Sequence, residues 1–139
     1  MLAQYLWLTG SVILLVLGTI HLLYTFLTNK FSPGSGKLEE EMKLSSPLLT
    51  KETSMWKAWI GFNASHSIGA MFIGIINFYL ALNYFSLFKT DLFFFLFNIL
   101  VIGFYVYLAR KYWFRIPLTG IFIVLICFII SCILSILNK

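Results

Sequence analysis

The sequence predicts an all-α polytopic membrane protein, a four-helix transmembrane bundle, and three observations carry that reading. Hydrophobic side chains make up 60% of the 139 residues and charged ones only 11%. Mean hydropathy is +0.94. Apolar stretches at about 5–28, 58–82, 92–109 and 116–137 are each long enough to cross a hydrocarbon layer of about 30 Å. Lipid offers the backbone no hydrogen-bond partners, so such stretches must be helices. Together with their connections they use up the chain as a single transmembrane domain, 1–139.

The first stretch lacks a basic leader, is too long for the core of a signal peptide and is followed by no small-residue cleavage pattern, so it reads as a retained helix. It stops by Asn29, because Lys30 and then Phe31-Ser32-Pro33-Gly34-Ser35-Gly36 bring charge, a proline and two glycines in succession. In the connection at about 30–57, the segment from Lys37 to Ser45 sets Leu38, Met42 and Ser45 on one face of a short helix; a packed turn is the alternative. Ser46-Pro47 predicts a helix start, with the serine as cap and the proline in the first turn, running to about Thr53 or on into the membrane. Trp56, Lys57 and Trp59 form an interfacial anchor at the head of the second span.

A polar connection at 83–91 leads to the third span, with Asp91 placed to favour the positive end of that helix. The span opens on the aromatic run Phe93 to Phe97 and closes among Tyr105, Tyr107, Tyr112 and Trp113, where an aromatic belt belongs. About five residues then turn the chain back, which makes the third and fourth spans antiparallel neighbours, and Pro117 suits the first turn of the fourth. There Cys127, Ser131 and Ser135 recur at spacing four as a helix-contact stripe, while Ile123, Val124, Phe128, Ile129 and Ile130 are assigned to lipid. Cys127 and Cys132 share no helical face suited to a bridge and read as buried thiols.

The formal charge of +5 does not point to nucleic acid, because the basic residues fall between spans and form no basic aromatic surface. They report topology. Lys30, Lys37, Lys43, Lys51 and Lys57 lie in one connection and Arg110, Lys111 and Arg115 in another, and with four spans these two connections share a side. The positive-inside rule makes that side the cytoplasm and sets both termini outside it.

Polar side chains within the spans are the candidates for function. Trp59, Asn63, His66, Ala70, Ile73 and Asn77 recur at spacings of four and three, the face predicted to turn inward. Beside it Gly61, Ser65, Gly69 and Gly74 form a small-residue seam for helix packing. His21 lies nine residues before Lys30 and His66 nine after Lys57, so in antiparallel helices both rings sit about 13 Å from one boundary. Two readings follow. In one, His21, Asn63 and His66 line a polar site, with Tyr24 and Trp59 shaping it and Ser65 or Ser67 adding hydroxyls. In the other, each histidine bonds across to a neighbouring helix and aligns it.

The chemistry available to these residues is bounded. Two imidazoles can hold haem iron, and imidazole also suits copper or zinc, yet one histidine pair is an incomplete zinc shell, so no metal or cofactor is assigned. Acid–base work on a lipid would use an imidazole with Asn63 as a polarising group, but the spans carry no carboxylate to orient either ring and no nucleophile elbow. An enzymatic role stays open. No Walker, Rossmann or zinc-finger pattern occurs.

Gly18-Thr-Ile-His-Leu-Leu-Tyr24 and the stretch from Trp56 through Ala58-Trp59-Ile60-Gly61-Phe62-Asn63-Ala64-Ser65-His66-Ser67-Ile68 to Gly69 resemble an uncharacterised family of small bacterial four-helix integral membrane proteins. The resemblance covers the first two spans, about half of the chain. It implies a bacterial inner membrane location and a shared role for His21, Trp59, Asn63 and His66; it brings no mechanism. The expectation is an accessory or oligomeric membrane protein that binds lipid or a membrane-protein partner, as a homo-oligomer or otherwise. The alternative is a cofactor-binding or lipid-modifying protein using His21, Asn63 and His66.

Overall fold

A computed structural model describes residues 1–138. The chain is all-α, with α1 at Leu2–Leu27, α2 at Gly36–Leu44, α3 at Met55–Thr90, α4 at Phe93–Tyr112 and α5 at Arg115–Leu137, and no strand occurs among the described residues. α1, α3, α4 and α5 are each long and apolar enough to cross a membrane, as expected of a multi-pass membrane protein.

Three of these spans fall close to the apolar stretches of the sequence; α3 departs from its stretch at both ends. Its start is Met55. The Ser46-Pro47 helix start is not used, because Pro47 opens a turn in which the Thr50 N–H donates to the Pro47 carbonyl at 3.3 Å. Ser54 precedes the helix instead, its carbonyl accepting the Ala58 N–H at 3.0 Å and its hydroxyl facing the Lys57 N–H at 3.4 Å. At the other end α3 runs past Leu82 to Thr90, broken only at Tyr84, where φ is −137° and ψ is 35°. The connection expected at 83–91 is therefore a kink followed by another turn and a half of helix, and the chain turns only at Asp91 and Leu92. Apolar contacts explain the continuation: Phe85 and Phe88, which follow the kink, pack with Phe95. Asp91 Oδ1 accepts the Phe93 N–H at 2.9 Å and so satisfies one of the open donors of α4.

The chain divides into two compact units, and α1 and α3 each contribute to both. The first unit comprises Met1–Leu17 and the chain from Ala70 onward. Its core is built on Trp7, fully buried, which stacks on Phe128 with ring centroids 3.8 Å apart and meets Phe95 edge-on at 4.9 Å. Phe128 and Val124, assigned to lipid from the sequence, are fully buried here. They lie on the stripe Ile121, Val124, Phe128, Ser131 and Ser135, whose spacings of three and four keep one face turned toward a neighbouring helix. Gly10 makes room for the Phe128 ring, since a Cβ at Gly10 would lie 2.7 Å from Phe128 Cε1. Ile123, Ile129 and Ile130 are exposed, consistent with contact with lipid.

The amides and the indole of this unit bond one another and backbone carbonyls. The Trp7 indole N–H donates to Asn77 Oδ1 at 3.1 Å, and Asn77 Nδ2 donates to Asn98 Oδ1 at 2.7 Å and to the Ile73 carbonyl at 2.9 Å. Asn98 Nδ2 reaches the Phe94 carbonyl at 2.8 Å. Gln4 Nε2 donates to the Ala81 carbonyl, and the Ser131 hydroxyl to that of Ala3. Where no water is at hand, such bonds replace the hydration these groups would otherwise lose.

The second unit, Gly18–Gly69, contains the end of α1, all of α2 and the start of α3. The segment after Gly36 is a helix rather than a packed turn, with Lys43 bonded to Glu39 at 2.6 Å one turn back, yet α2 buries no residue. Beyond it the chain forms a loop closed at its base, where the Met55 N–H donates to the Ser45 carbonyl at 2.8 Å.

Candidate functional site

The candidate site lies wholly in the second unit. Helical spacing brings its parts together: Trp59, Asn63 and His66 are successive positions on one side of α3, and His21 projects from α1 one turn before Thr25. The His21 and His66 rings meet edge to face, with centroids 5.5 Å apart and planes at 71°. His21 Nε2 lies 3.0 Å from Asn63 Oδ1. Asn63 Nδ2 is directed to the Trp59 carbonyl at 2.9 Å, which turns the amide oxygen toward the imidazole. An amide oxygen only accepts, so His21 donates from Nε2, and the neutral ring in this arrangement is the tautomer with Nδ1 unprotonated.

The loop after α1 closes over this group. Phe31 sits against His21 with centroids 4.4 Å apart, and its carbonyl accepts the Trp59 indole N–H at 3.0 Å. Trp59 thus ties the loop to α3 through its indole N–H and holds Asn63 through its backbone carbonyl. Tyr24 flanks the group, its ring 6.4 Å from that of Phe31 and 4.7 Å from the Lys30 ammonium. Asn63 is buried, whereas His21, His66 and Tyr24 are half-buried.

The hydroxyls and glycines named from the sequence divide differently. Ser67 is buried, and its hydroxyl donates to the Asn63 carbonyl at 2.7 Å, within its own helix. Ser65 is exposed and bonds the Phe62 carbonyl. Of the small residues, Gly74 belongs to the first unit and is in tight contact: a Cβ there would lie 2.8 Å from Leu15 N and 2.9 Å from Ser11 O. A Cβ at Gly61 or Gly69 would meet nothing within 4 Å. The buried side of α3 runs through Asn63, Ser67, Ala70, Gly74, Asn77 and Ala81, leaving Gly61 and Ser65 on an exposed face.

Two residues that the sequence did not single out prove central. Phe31 was hidden in a stop signal of proline and glycine, although an aromatic residue just beyond a helix end was the available clue. Trp7 was one apolar residue among many, and only its distant partner Asn77 gives its N–H a role.

Among the described residues, no three His, Cys, Asp or Glu side chains converge to hold a metal. Haem iron between two imidazoles needs one nitrogen of each ring opposed across the metal. Here the edge of one ring meets the face of the other, and His21 Nε2 is engaged by Asn63, so the pair as arranged does not fit that group. The geometry can do two things: bond helix to helix, and set two half-buried imidazole rings side by side. No family profile, curated protein sequence or solved structure matches the chain.

Proposed function

We propose that this chain is a small integral membrane protein of accessory or oligomeric type, which binds lipid or a membrane-protein partner through its apolar exterior. The observation that carries the reading is that its buried amides and indole are bonded to one another and to backbone carbonyls: Trp7, Asn77 and Asn98 in one unit, Asn63 in the other. Polar groups used in this way hold helices together. The exposed side chains along α3, including Phe62, Ile68, Phe72 and Ile75, offer a surface for acyl chains or another helix. The grouping of Lys and Arg supports both termini lying outside the cytoplasm, and the resemblance of the first two spans to small bacterial membrane proteins supports a bacterial inner membrane. Native mass measurement from several mild detergents tests the function, with the expected result a mass above the monomer or stoichiometric bound lipid. Bare monomer in every detergent overturns it.

A second reading rests on the fixed tautomer of His21. A neutral imidazole whose Nδ1 is unprotonated, beside another imidazole, can accept a hydrogen bond or a proton from a polar head carried by a hydrophobic molecule, which would make the group a ligand or reaction site. Gentle purification followed by optical, elemental and lipid analysis, repeated on His21→Ala and His66→Ala, tests it. A bound molecule lost from both variants supports this reading; identical contents in all three proteins remove it.

A further inference from the structure

The loop between α2 and α3 carries an apolar tip that the chain itself leaves uncovered. Leu48 and Leu49 have relative exposures of 109% and 95%, and Leu44 at the end of α2 has 86%. Exposed apolar residues are ordinary along the middle of a membrane helix, where lipid covers them. These three lie instead in a connection that also carries Lys43, Lys51, Glu52 and Lys57.

The position of the loop base identifies what covers the tip. The Met55 N–H to Ser45 carbonyl bond at 2.8 Å pinches the ends of the loop together at the first residue of α3. From Met55 to the apolar stretch that opens at residue 58 is three residues, or about 4.5 Å along the helix axis, which lies within the depth of one headgroup layer. Trp56 and Trp59 mark the same level, as indoles do at a lipid interface. The base therefore stands among the headgroups. Leu48 and Leu49 lie three and four residues after Ser45 and seven and six before Met55, so the tip is within reach of the acyl-chain boundary. The turn closed by the Thr50 N–H on the Pro47 carbonyl holds the two leucines together at the apex, and Glu52 N–H is bonded to the Thr50 hydroxyl on the returning side.

We infer that the 45–55 loop is a membrane-inserting finger: Leu48 and Leu49 enter the headgroup and upper acyl region of the same leaflet in which α3 begins, while Lys51 stays with the headgroup phosphates. The occupant of this surface is lipid, continuous with the lipid that surrounds α3. The inference does not depend on the accessory role proposed above, because a cofactor-binding protein could carry the same finger.

Fluorescence depth measurement on the full chain tests it. Cys127 and Cys132 are replaced by alanine, and an environment-sensitive nitrobenzoxadiazole label is placed at Leu48→Cys or, separately, at Leu49→Cys. Glu40→Cys on exposed α2 serves as the water reference and Phe72→Cys, exposed in mid-span, as the deep reference. The proteins are reconstituted in phosphatidylcholine vesicles containing a minority of phosphatidylglycerol. The expected result is blue-shifted emission at 48 and 49, several-fold weaker quenching by aqueous iodide than at 40, and stronger quenching by lipids brominated near the headgroup than by lipids brominated near the chain end. The label at 72 should show the opposite order of bromine depths. Iodide quenching at 48 and 49 equal to that at 40 places the tip in water and overturns the inference. Protection from iodide without quenching by any brominated lipid assigns the cover to protein and overturns it equally.

Discussion

Asn63 fixes which nitrogen of His21 bears the proton. Its amide nitrogen is committed to the Trp59 carbonyl at 2.9 Å, so its oxygen is what faces His21 Nε2 at 3.0 Å. The asparagine thus sets the chemistry of a ring on another helix while joining the two helices.

Nitrogen chemical shifts of the labelled imidazole report this arrangement directly. At a pH where the ring is neutral, His21 should show protonated Nε2 and bare Nδ1, and Asn63→Leu should return the ring to a mixture of both tautomers. The same variant should lose about 1 kcal/mol of stability, the usual scale for a side-chain bond between membrane helices. A wild-type ring protonated on Nδ1 contradicts the assigned bond.

Gly74 and Gly61 lie on the same helix and predict opposite outcomes. A methyl group at Gly74 meets the backbone of Leu15 and Ser11, which cannot rotate away, so Gly74→Ala should destabilise the protein by about 1–3 kcal/mol in a denaturant titration in micelles. Gly61→Ala meets open space and gains helix propensity, so its stability should be unchanged or higher by up to about 1 kcal/mol. Equal losses at the two positions would show that the α1–α3 contact is not as tight as these distances require.

Trp7 joins two kinds of interaction that a pair of substitutions can separate. Trp7→Phe keeps an aromatic ring beside Phe128 and Phe95 but leaves Asn77 Oδ1 without its donor, at a cost of about 1–2 kcal/mol. Trp7→Ala also opens a cavity in the packed core and should cost about 3–5 kcal/mol. A double-substitution cycle of Trp7→Phe with Asn77→Leu isolates the hydrogen bond, and a coupling energy of zero rules out its contribution.

The fold class was legible because lipid imposes a simple demand: apolar residues over a span's length, with the backbone bonded to itself. The stripe through Asn63 and Asn77 was legible for a related reason, since amides in such a span must find partners inside the protein. Phe128 and Val124 were not, because a lipid-facing and a protein-facing residue in a membrane helix have the same apolar chemistry; only the fit of Phe128 against Gly10 and Trp7 distinguishes them. Gly61 and Gly69 meet no neighbour within the chain for the converse reason. A small residue permits close approach without compelling it, and α3 instead turns Gly74 to α1. The Ser46-Pro47 start failed because a local cap signal is weak beside the tertiary bond from Met55 to Ser45.

The break at Tyr84 also settles how α3 meets a bilayer. Unbroken, its 36 residues would measure about 54 Å, far beyond the hydrocarbon thickness of about 30 Å, and the excess would have to be absorbed by tilt or by thickening of the surrounding lipid. With the helix ended at Asn83, the rod is about 44 Å long, close to the full thickness of a bilayer with its headgroups. The remaining turns spend their phenylalanines on the Trp7 core, where Phe88 lies 5.1 Å from the indole. One residue's backbone angles thereby set how much of α3 runs as a single rod and how much returns to the core.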